Sequence, residues 1–114
     1  MAGCLFCEII SGKIKSEFVY EDNDTVAFRD INPEAPVHIL IIPKKHIASL
    51  NEISDSDNLI LGKICNVAKQ LATKFSIDNS GYRLIYNTGS DAGQAVAHIH
   101  IHLMGGRKFS WPPG

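Results

Sequence analysis

The chain has 114 residues, 45% of them hydrophobic and 20% charged, and its formal net charge at pH 7 is −1. This length predicts a single domain over residues 1–114, and the near-neutral charge provides no broad basic field for a nucleic-acid backbone. Because no apolar stretch approaches the roughly 20 residues needed to cross a bilayer, we expect a soluble protein of the cytoplasm, or also of the nucleus, without nucleic-acid or membrane partners.

The first half of the chain predicts one short helix and three strands. Apolar residues recur at helical spacing over residues 4–11, and Gly12 marks the end of this helix. Strands are predicted at residues 18–20 and 25–29, around an acidic turn. Residues 37–42 form a nearly continuous apolar run, which predicts a central strand that ends at Pro43.

The second half predicts a long helix and two further strands. Asp55 or Ser56 is expected to cap the helix, which runs to about Phe75. Its buried stripe is predicted to contain Leu59, Ile60, Ile64, Val67, Ala68 and Leu71. Cys65 is expected to be a small core residue. Strands follow at residues 82–86 and 98–104, so the predicted fold class is α+β with a mostly antiparallel sheet.

Three of the five histidines alternate with apolar residues near the C-terminus: His98, His100 and His102. On a strand their imidazoles share one face, and the first and third lie about 13 Å apart, so one ion cannot bind all three. Imidazole acts in proteins as a nucleophile, a general acid or base, a metal ligand or a phosphate-binding donor. The alternative is a strand of half-buried histidines without chemistry.

The loop before this run is small and glycine-bearing, and it contains Asn87, Gly93 and Gln94. Glycine lets backbone N–H groups approach an anion closely, so such a loop is suited to binding phosphate. The sequence lacks the Gly-Lys-Ser/Thr ending of a P-loop, and an ordinary surface connection is the alternative.

Cys4 and Cys7 are separated by two residues, which is half of a structural zinc site. A redox pair is disfavoured because no thioredoxin-like βαβ pattern accompanies the two cysteines. The remaining alternative is a metal-free pair of thiols on a helix.

Several segments fall in the order of one known family. Residues 98–104 match the pattern His-φ-His-φ-His-φ-φ, where φ is apolar, and FRDI, PVH, IPKKH and the WPPG ending accompany it. The sequence therefore resembles the histidine triad, or HIT, superfamily, and within it the Hint branch of histidine triad nucleotide-binding proteins. This resemblance implies a HIT-like fold, in which a five-stranded, mostly antiparallel sheet with one long and one short helix continues across a homodimer.

The resemblance also implies a purine nucleoside phosphoramidase that releases a nucleoside monophosphate. His100 would be the nucleophile that forms a covalent nucleotidyl intermediate, with His102 and His38 assisting. Ala95 stands where Hint proteins commonly carry a phosphate-binding serine. The implied nucleotide contacts are Leu5, Phe6, Ile9, Phe28, Asp30, Ile31, Leu40, Asn87, Gly93, Gln94, Ala95, Val96, His100 and His102. Without the family, the apolar members of this set are more simply interpreted as core.

Zinc-containing members of the family imply a cofactor and its ligands. The corresponding positions are Cys4, Cys7, His46 and His98, which would form a closed structural site. The implied partners are purine nucleotides with their phosphoramidate and adenylate derivatives. Two other functions stay open: a nucleotide-binding scaffold with residual hydrolysis, which Ala95 favours, and a dinucleoside polyphosphate hydrolase, which the WPPG ending disfavours.

Overall fold

The computed structural model describes residues 3–114, which form two α-helices and five strands. In chain order these are α1 (Leu5–Ile10), β1 (Phe18–Glu21), β2 (Thr25–Arg29), β3 (Val37–Pro43), α2 (Asn58–Lys74), β4 (Tyr82–Ile85) and β5 (Ile101–Gly105). The strands form one sheet in the order β1-β2-β3-β5-β4, with every neighbouring pair antiparallel. The predicted α+β fold is confirmed. Within residues 3–114, no helix has the length and apolar character to cross a membrane.

Each face of the sheet carries its own apolar cluster. Helix α2 packs on one face, where Leu71 joins Ile39 and Ile41 of β3. The side chains of α1 pack on the other face, where Phe6 joins Leu40 of β3. Successive side chains of a strand point to opposite faces, so β3 is buried on both sides. This explains why its sequence is apolar without interruption except at His38, which is itself buried.

The long helix begins later than predicted. A 3₁₀ turn over Asp55–Asp57 precedes it, and Asp57, not Asp55 or Ser56, is its N-cap residue. The side chain of Asp57 accepts the backbone N–H of Ser54 at 2.9 Å, which stabilises this turn before the helix starts. The helix ends at Lys74, close to the predicted end.

Two residues of this helix are not in the core as predicted. Leu59 is 87% exposed and Cys65 is exposed, whereas Ile64 is fully buried. Leu59 lies five residues before Ile64, which is about 140° around the helix, and Cys65 lies about 100° beyond it. Both side chains therefore lie off the stripe that faces the sheet.

Strand β5 begins at Ile101, not at His98 as predicted. The backbone N–H of Ile99 donates to the carbonyl oxygen of Ile47 at 2.6 Å, and Nε2 of His98 lies 2.8 Å from the carbonyl oxygen of Pro43. These two contacts hold residues 98–100 against Pro43, at the end of β3, and against Ile47 in the segment that follows it. His98 is therefore outside the ladder, while His102 remains within it.

Candidate functional site

A row of side chains crosses the sheet on the face covered by α1. Phe28 on β2 pairs with Leu40 on β3, and Leu40 pairs with His102 on β5. Residues paired across neighbouring strands point to the same face. Phe6 of α1 closes over the row, with its ring centroid 5.6 Å from that of Phe28. The row thus has an aromatic end and a histidine end.

A cavity of about 400 Å³ lies over this row. Its floor is buried, whereas Leu5 and Ile31 at its rim are 45% and 92% exposed. The cavity brings together most of the predicted nucleotide-contact residues: Leu5, Phe6, Ile9, Phe28, Asp30, Ile31, Leu40, Ala95, Val96, His100 and His102.

Three predicted contacts, Asn87, Gly93 and Gln94, are not among the described residues that line this cavity. The Gln94 side-chain amide instead donates to the carbonyl of Val96 and accepts from the backbone N–H of Gly89, both at 3.0 Å. Asn87 lines a separate cavity beside the C-terminal segment. The Gln94 amide also donates to the carbonyl oxygen of Ala48 at 2.7 Å, so Gln94 stabilises the loop and ties it to the chain that follows β3.

Five lining residues are outside the predicted set of contacts: Ile14, Lys15, Ser16, Arg29 and Asn32. They lie in the connection before β1 or around the end of β2. The only signal for them was their closeness in sequence to Ile9 and Asp30, because no periodic pattern marks irregular segments.

His100 is held by a short hydrogen bond to the backbone. Its Nδ1 lies 2.7 Å from the carbonyl oxygen of His98, and the residue is only 6% exposed. A carbonyl oxygen can only accept, so Nδ1 carries the proton and Nε2 of the neutral ring keeps its lone pair. The ring also contacts the edges of Phe6 and His102, each with a centroid distance of 5.1 Å. Packing and the hydrogen bond together fix its orientation.

A chain of hydrogen bonds fixes the tautomers of His38 and His102. The backbone N–H of Glu34 donates to Nδ1 of His38 at 3.0 Å, so the proton of neutral His38 is on Nε2. That nitrogen lies 2.9 Å from Nδ1 of His102 and donates to it. Neutral His102 consequently carries its own proton on Nε2, as an N–H donor.

The surroundings of His102 keep its ring neutral. Burial lowers the pKa of His102 to about 4 from an ordinary 6.5, and the neighbouring rings of His100 and His38 add to this effect. The carboxylate of Asp30 acts in the opposite direction. At neutral pH the side chain is therefore an uncharged donor.

Asp30 follows β2 at the rim of the cavity. Its Oδ1 accepts the backbone N–H of Asn32 at 2.8 Å, and its Oδ2 lies 3.5 Å from Nε2 of His38. These contacts orient the carboxylate while leaving it 19% exposed. An ionised carboxylate is an acceptor only, which suits it to hydroxyl groups of a ligand.

The four residues Cys4, Cys7, His46 and His98 form one compact cluster. Nδ1 of His98 lies 3.5 Å from Sγ of Cys4, 3.6 Å from Sγ of Cys7 and 3.2 Å from Nδ1 of His46. Sγ of Cys7 lies 3.3 Å from Nδ1 of His46. All four predicted ligands therefore converge, at positions suited to hold a metal ion.

His98 is prepared to act as a ligand. Its Nε2 donates to the carbonyl oxygen of Pro43 at 2.8 Å, which leaves Nδ1 unprotonated and directed at the cluster. Burial lowers the pKa of His98, which favours the neutral ring that metals bind. Burial and the adjacent Cys4 raise the pKa of the Cys7 thiol, so two thiolates here require a compensating positive charge.

Comparison with known proteins places the chain in a family. The model of the HIT domain matches residues 11–109. The chain belongs to the HIT domain family. The matched region contains the triad histidines together with His38 and His46, whereas Cys4 and Cys7 of the cluster precede it.

Relatives and solved structures of HIT domain proteins agree with the fold. A HIT family hydrolase from Legionella pneumophila Philadelphia 1 is 52% identical, with a TM-score of 0.96, over 98% of this chain and 100% of that chain. The histidine triad nucleotide-binding protein from Candida albicans is 38% identical, with a TM-score of 0.82, over 96% of this chain and 83% of that chain. An uncharacterized HIT-like protein from Synechocystis is 44% identical over 110 residues, which is 96% of each chain. The predicted HIT-like fold is confirmed.

Proposed function

We propose that this HIT domain protein is a purine nucleoside phosphoramidase, which hydrolyses the P–N bond between a nucleoside monophosphate and an amine. The 2.7 Å hydrogen bond from Nδ1 of His100 to the His98 carbonyl carries this proposal. It leaves a lone pair on Nε2, which a nucleophile requires, whereas a residue that only binds phosphate needs an N–H there. This difference favours an enzyme over a nucleotide-binding scaffold.

Two of the similar proteins support the proposal by their names, one as a HIT family hydrolase and the other as a histidine triad nucleotide-binding protein. Within the family we propose the Hint branch, on the basis of the WPPG ending. We also propose that the protein is cytoplasmic, which agrees with a nucleotide derivative as its substrate.

In the first step, Nε2 of His100 bonds to the α-phosphorus and the bond from phosphorus to the leaving nitrogen breaks. His102 takes up a proton when the anionic phosphate lies beside it, because negative charge raises the pKa of an imidazole, and it passes this proton to the leaving nitrogen. In the second step, water attacks phosphorus, the bond to His100 breaks, and the water returns a proton to His102. Nucleoside monophosphate and amine leave, and His100 and His102 return to the protonation states in which they began the reaction.

The rest of the nucleotide is proposed to lie along the row of side chains. The base would lie between Phe6 and the apolar floor, and Asp30 would accept hydrogen bonds from the ribose hydroxyls. The loop containing Gly93 and Ala95 would offer backbone N–H groups to phosphate, with Gln94 stabilising it and Asn87 at its start. Ala95 supplies no side-chain donor, so we expect weaker phosphate contact there but retained activity.

We propose that the cysteine–histidine cluster binds zinc. Zinc–ligand bonds of about 2.3 Å to sulfur and 2.0–2.1 Å to nitrogen place tetrahedral ligand atoms roughly 3.3–3.8 Å apart. The distances in the cluster, 3.2 to 3.6 Å, agree with this geometry. A closed set of four protein ligands would supply structural stability and no reactive water.

We also propose that two copies associate through β4, which lies at one end of the sheet. Tyr82 and Leu84 on this strand are 37% and 39% exposed, and an edge strand with exposed apolar side chains is a template for pairing with another chain. Pairing β4 with its copy would continue the sheet and cover both residues. A sedimentation measurement of twice the chain mass would support this homodimer.

Replacing His100 tests the enzymatic proposal. We expect His100→Ala to lower turnover of an adenosine phosphoramidate by roughly a thousandfold or more, while adenosine monophosphate still binds. His102→Gln is the matched control: it keeps the nucleophile, so it should still release the leaving group of an ester that needs no proton. Hydrolysis of its adduct should be slower, because the imidazole that takes the proton of water is missing. Mass spectrometry should detect a nucleotidyl adduct in the control and none in His100→Ala. Undiminished turnover by His100→Ala would contradict the assigned nucleophile.

A further inference from the structure

We propose that Lys15 hydrogen-bonds the edge of the purine base and makes the site selective for 6-oxopurine nucleotides, those of guanosine and inosine, over adenosine nucleotides. This inference rests on the proposed function, because it assumes that a nucleotide occupies the cavity.

The register of the sheet places Lys15 at the base end of the cavity. The row that begins at His102 continues through Leu40 and Phe28 to Phe18 on β1. Neighbouring strands are about 4.8 Å apart, so β1 is roughly 14 Å from the histidine end. Lys15 lies three residues before Phe18 and lines the cavity.

A second cavity, of about 510 Å³, adjoins this end and shares Ile9, Ile14, Lys15 and Ser16 with the first. Lys15 therefore stands at the boundary of the two cavities, on the side away from the histidines. With phosphorus at His100, this end receives the part of the nucleotide furthest from phosphate, which is the outer edge of the base.

Lys15 is the cation available to a ligand at this boundary. The other cationic residue in the lining, Arg29, places its guanidinium 4.8 Å from the ring centroid of Phe75. Within residues 3–114, Lys15 forms no ion pair, although Lys44, Lys45 and Lys63 do. Lys15 is thus exposed and uncommitted beside the apolar residues Ile9 and Ile14 of the lining.

The chemistry of the ammonium group sets the direction of the selectivity. Lysine carries three donors and no acceptor. Guanine presents two neighbouring acceptors, O6 and N7, whereas adenine replaces the first with an amino donor. Hypoxanthine, the base of inosine, shares O6 and N7 with guanine. Lys15 therefore satisfies both acceptors of a 6-oxopurine, whereas the amino donor of adenine leaves the ammonium group in solvent.

The test compares three monophosphates and their phosphoramidates on the full chain and on Lys15→Met. We expect the variant to bind guanosine and inosine monophosphates roughly three- to tenfold more weakly, as one partly solvated charged hydrogen bond predicts. Binding of adenosine monophosphate should stay unchanged. The ratio of kcat/KM values for guanosine and adenosine phosphoramidates should fall by the same factor.

Lys13→Met is the matched control, since Lys13 is two residues away and is not among the described residues that line the cavity. It should leave all three affinities unchanged. An unaltered ratio of guanosine to adenosine kcat/KM values in Lys15→Met would overturn the proposal. An equal loss of affinity for all three monophosphates would also overturn it, because that result would indicate a contact with phosphate. Because affinities are measured on products, failure of the selectivity is distinguishable from absence of phosphoramidase activity.

Discussion

The buried neutral ring of His102 predicts a measurable loss of stability in acid. Its pKa is about 4 in the folded chain, against an ordinary 6.5. Between pH 6.5 and pH 4, His102 binds a proton in the unfolded chain but not in the folded chain, so protonation stabilises the unfolded chain. The stability that the neutral ring contributes is therefore fully present above pH 6.5 and is lost as the pH falls towards 4. Replacing His102 with glutamine removes the titrating group while keeping an acceptor for Nε2 of His38.

The expected magnitude follows from these two values. Near pH 5 the unfolded ring is almost fully protonated and the folded ring is roughly one-tenth protonated, which corresponds to a loss of about 2 kcal/mol relative to pH 7.5. His102 is only half-buried, so solvent screening reduces the expected effect to about 1 kcal/mol.

Urea unfolding of both proteins at the two pH values provides the assay. The free energy of unfolding of the unmodified chain should fall by about 1 kcal/mol more than that of His102→Gln between pH 7.5 and pH 5. Acid effects on the cysteine–histidine cluster are common to both proteins and cancel in this difference. Equal losses in the two proteins would refute the view that His102 is held neutral by its surroundings.

Two further predictions concern packing and metal. A Cβ added to Gly105 would lie 2.6 Å from Cδ1 of buried Ile77, so Gly105→Ala should lower the free energy of unfolding by about 1–3 kcal/mol in urea titrations. A Cβ added to Gly62 in α2 would meet no atom within 4 Å among residues 3–114 apart from its chain neighbours and the nearby backbone of its own helix, so Gly62→Ala should not be destabilising. Elemental analysis should find one zinc per chain. Cys7→Ser should remove this zinc, whereas Cys65→Ser, at an exposed cysteine outside the cluster, should retain it. A chelator should lower the melting temperature only of proteins that bound zinc.

The elements of the fold were predictable because their patterns are strong. Residues 58–74 follow helical periodicity, and residues 37–43 form a β-branched apolar run, interrupted only at His38, that is typical of a strand buried on both faces. Leu59 shows the limit of this reasoning: an apolar residue in the first turn fits a loose stripe but lies off the buried face. Hydrophobicity alone does not give the angular position that decides burial.

The candidate site was predictable mainly through the family resemblance. Nothing in the local sequence shows that Phe28, Leu40 and His102 share one row, because that depends on the register of three strands. The same holds for Lys15, whose place at the end of the row follows from the pairing of Phe18 with Phe28. Irregular segments contribute side chains to sites through long-range packing, which has no periodic signature.

The departure of His98 from the strand explains how alternating histidines divide their tasks. An extended strand would point His98, His100 and His102 in one direction, whereas residues 98–100 lie outside the ladder. His98 thereby contacts three partners at once: its Nδ1 faces the cysteines, its Nε2 donates to Pro43, and its carbonyl oxygen accepts from His100.

One backbone position therefore joins the cysteine–histidine cluster to the proposed nucleophile. A shift of His98 would move the carbonyl oxygen that keeps the proton on Nδ1 of His100, and with it the lone pair on Nε2. Phe6 reinforces this link, since its ring contacts both histidines, with centroid distances of 5.9 and 5.1 Å, and belongs to the helix that Cys4 caps. The cluster thus orients the proposed nucleophile and the roof of the cavity together, although none of its four residues is among the described residues that line the cavity.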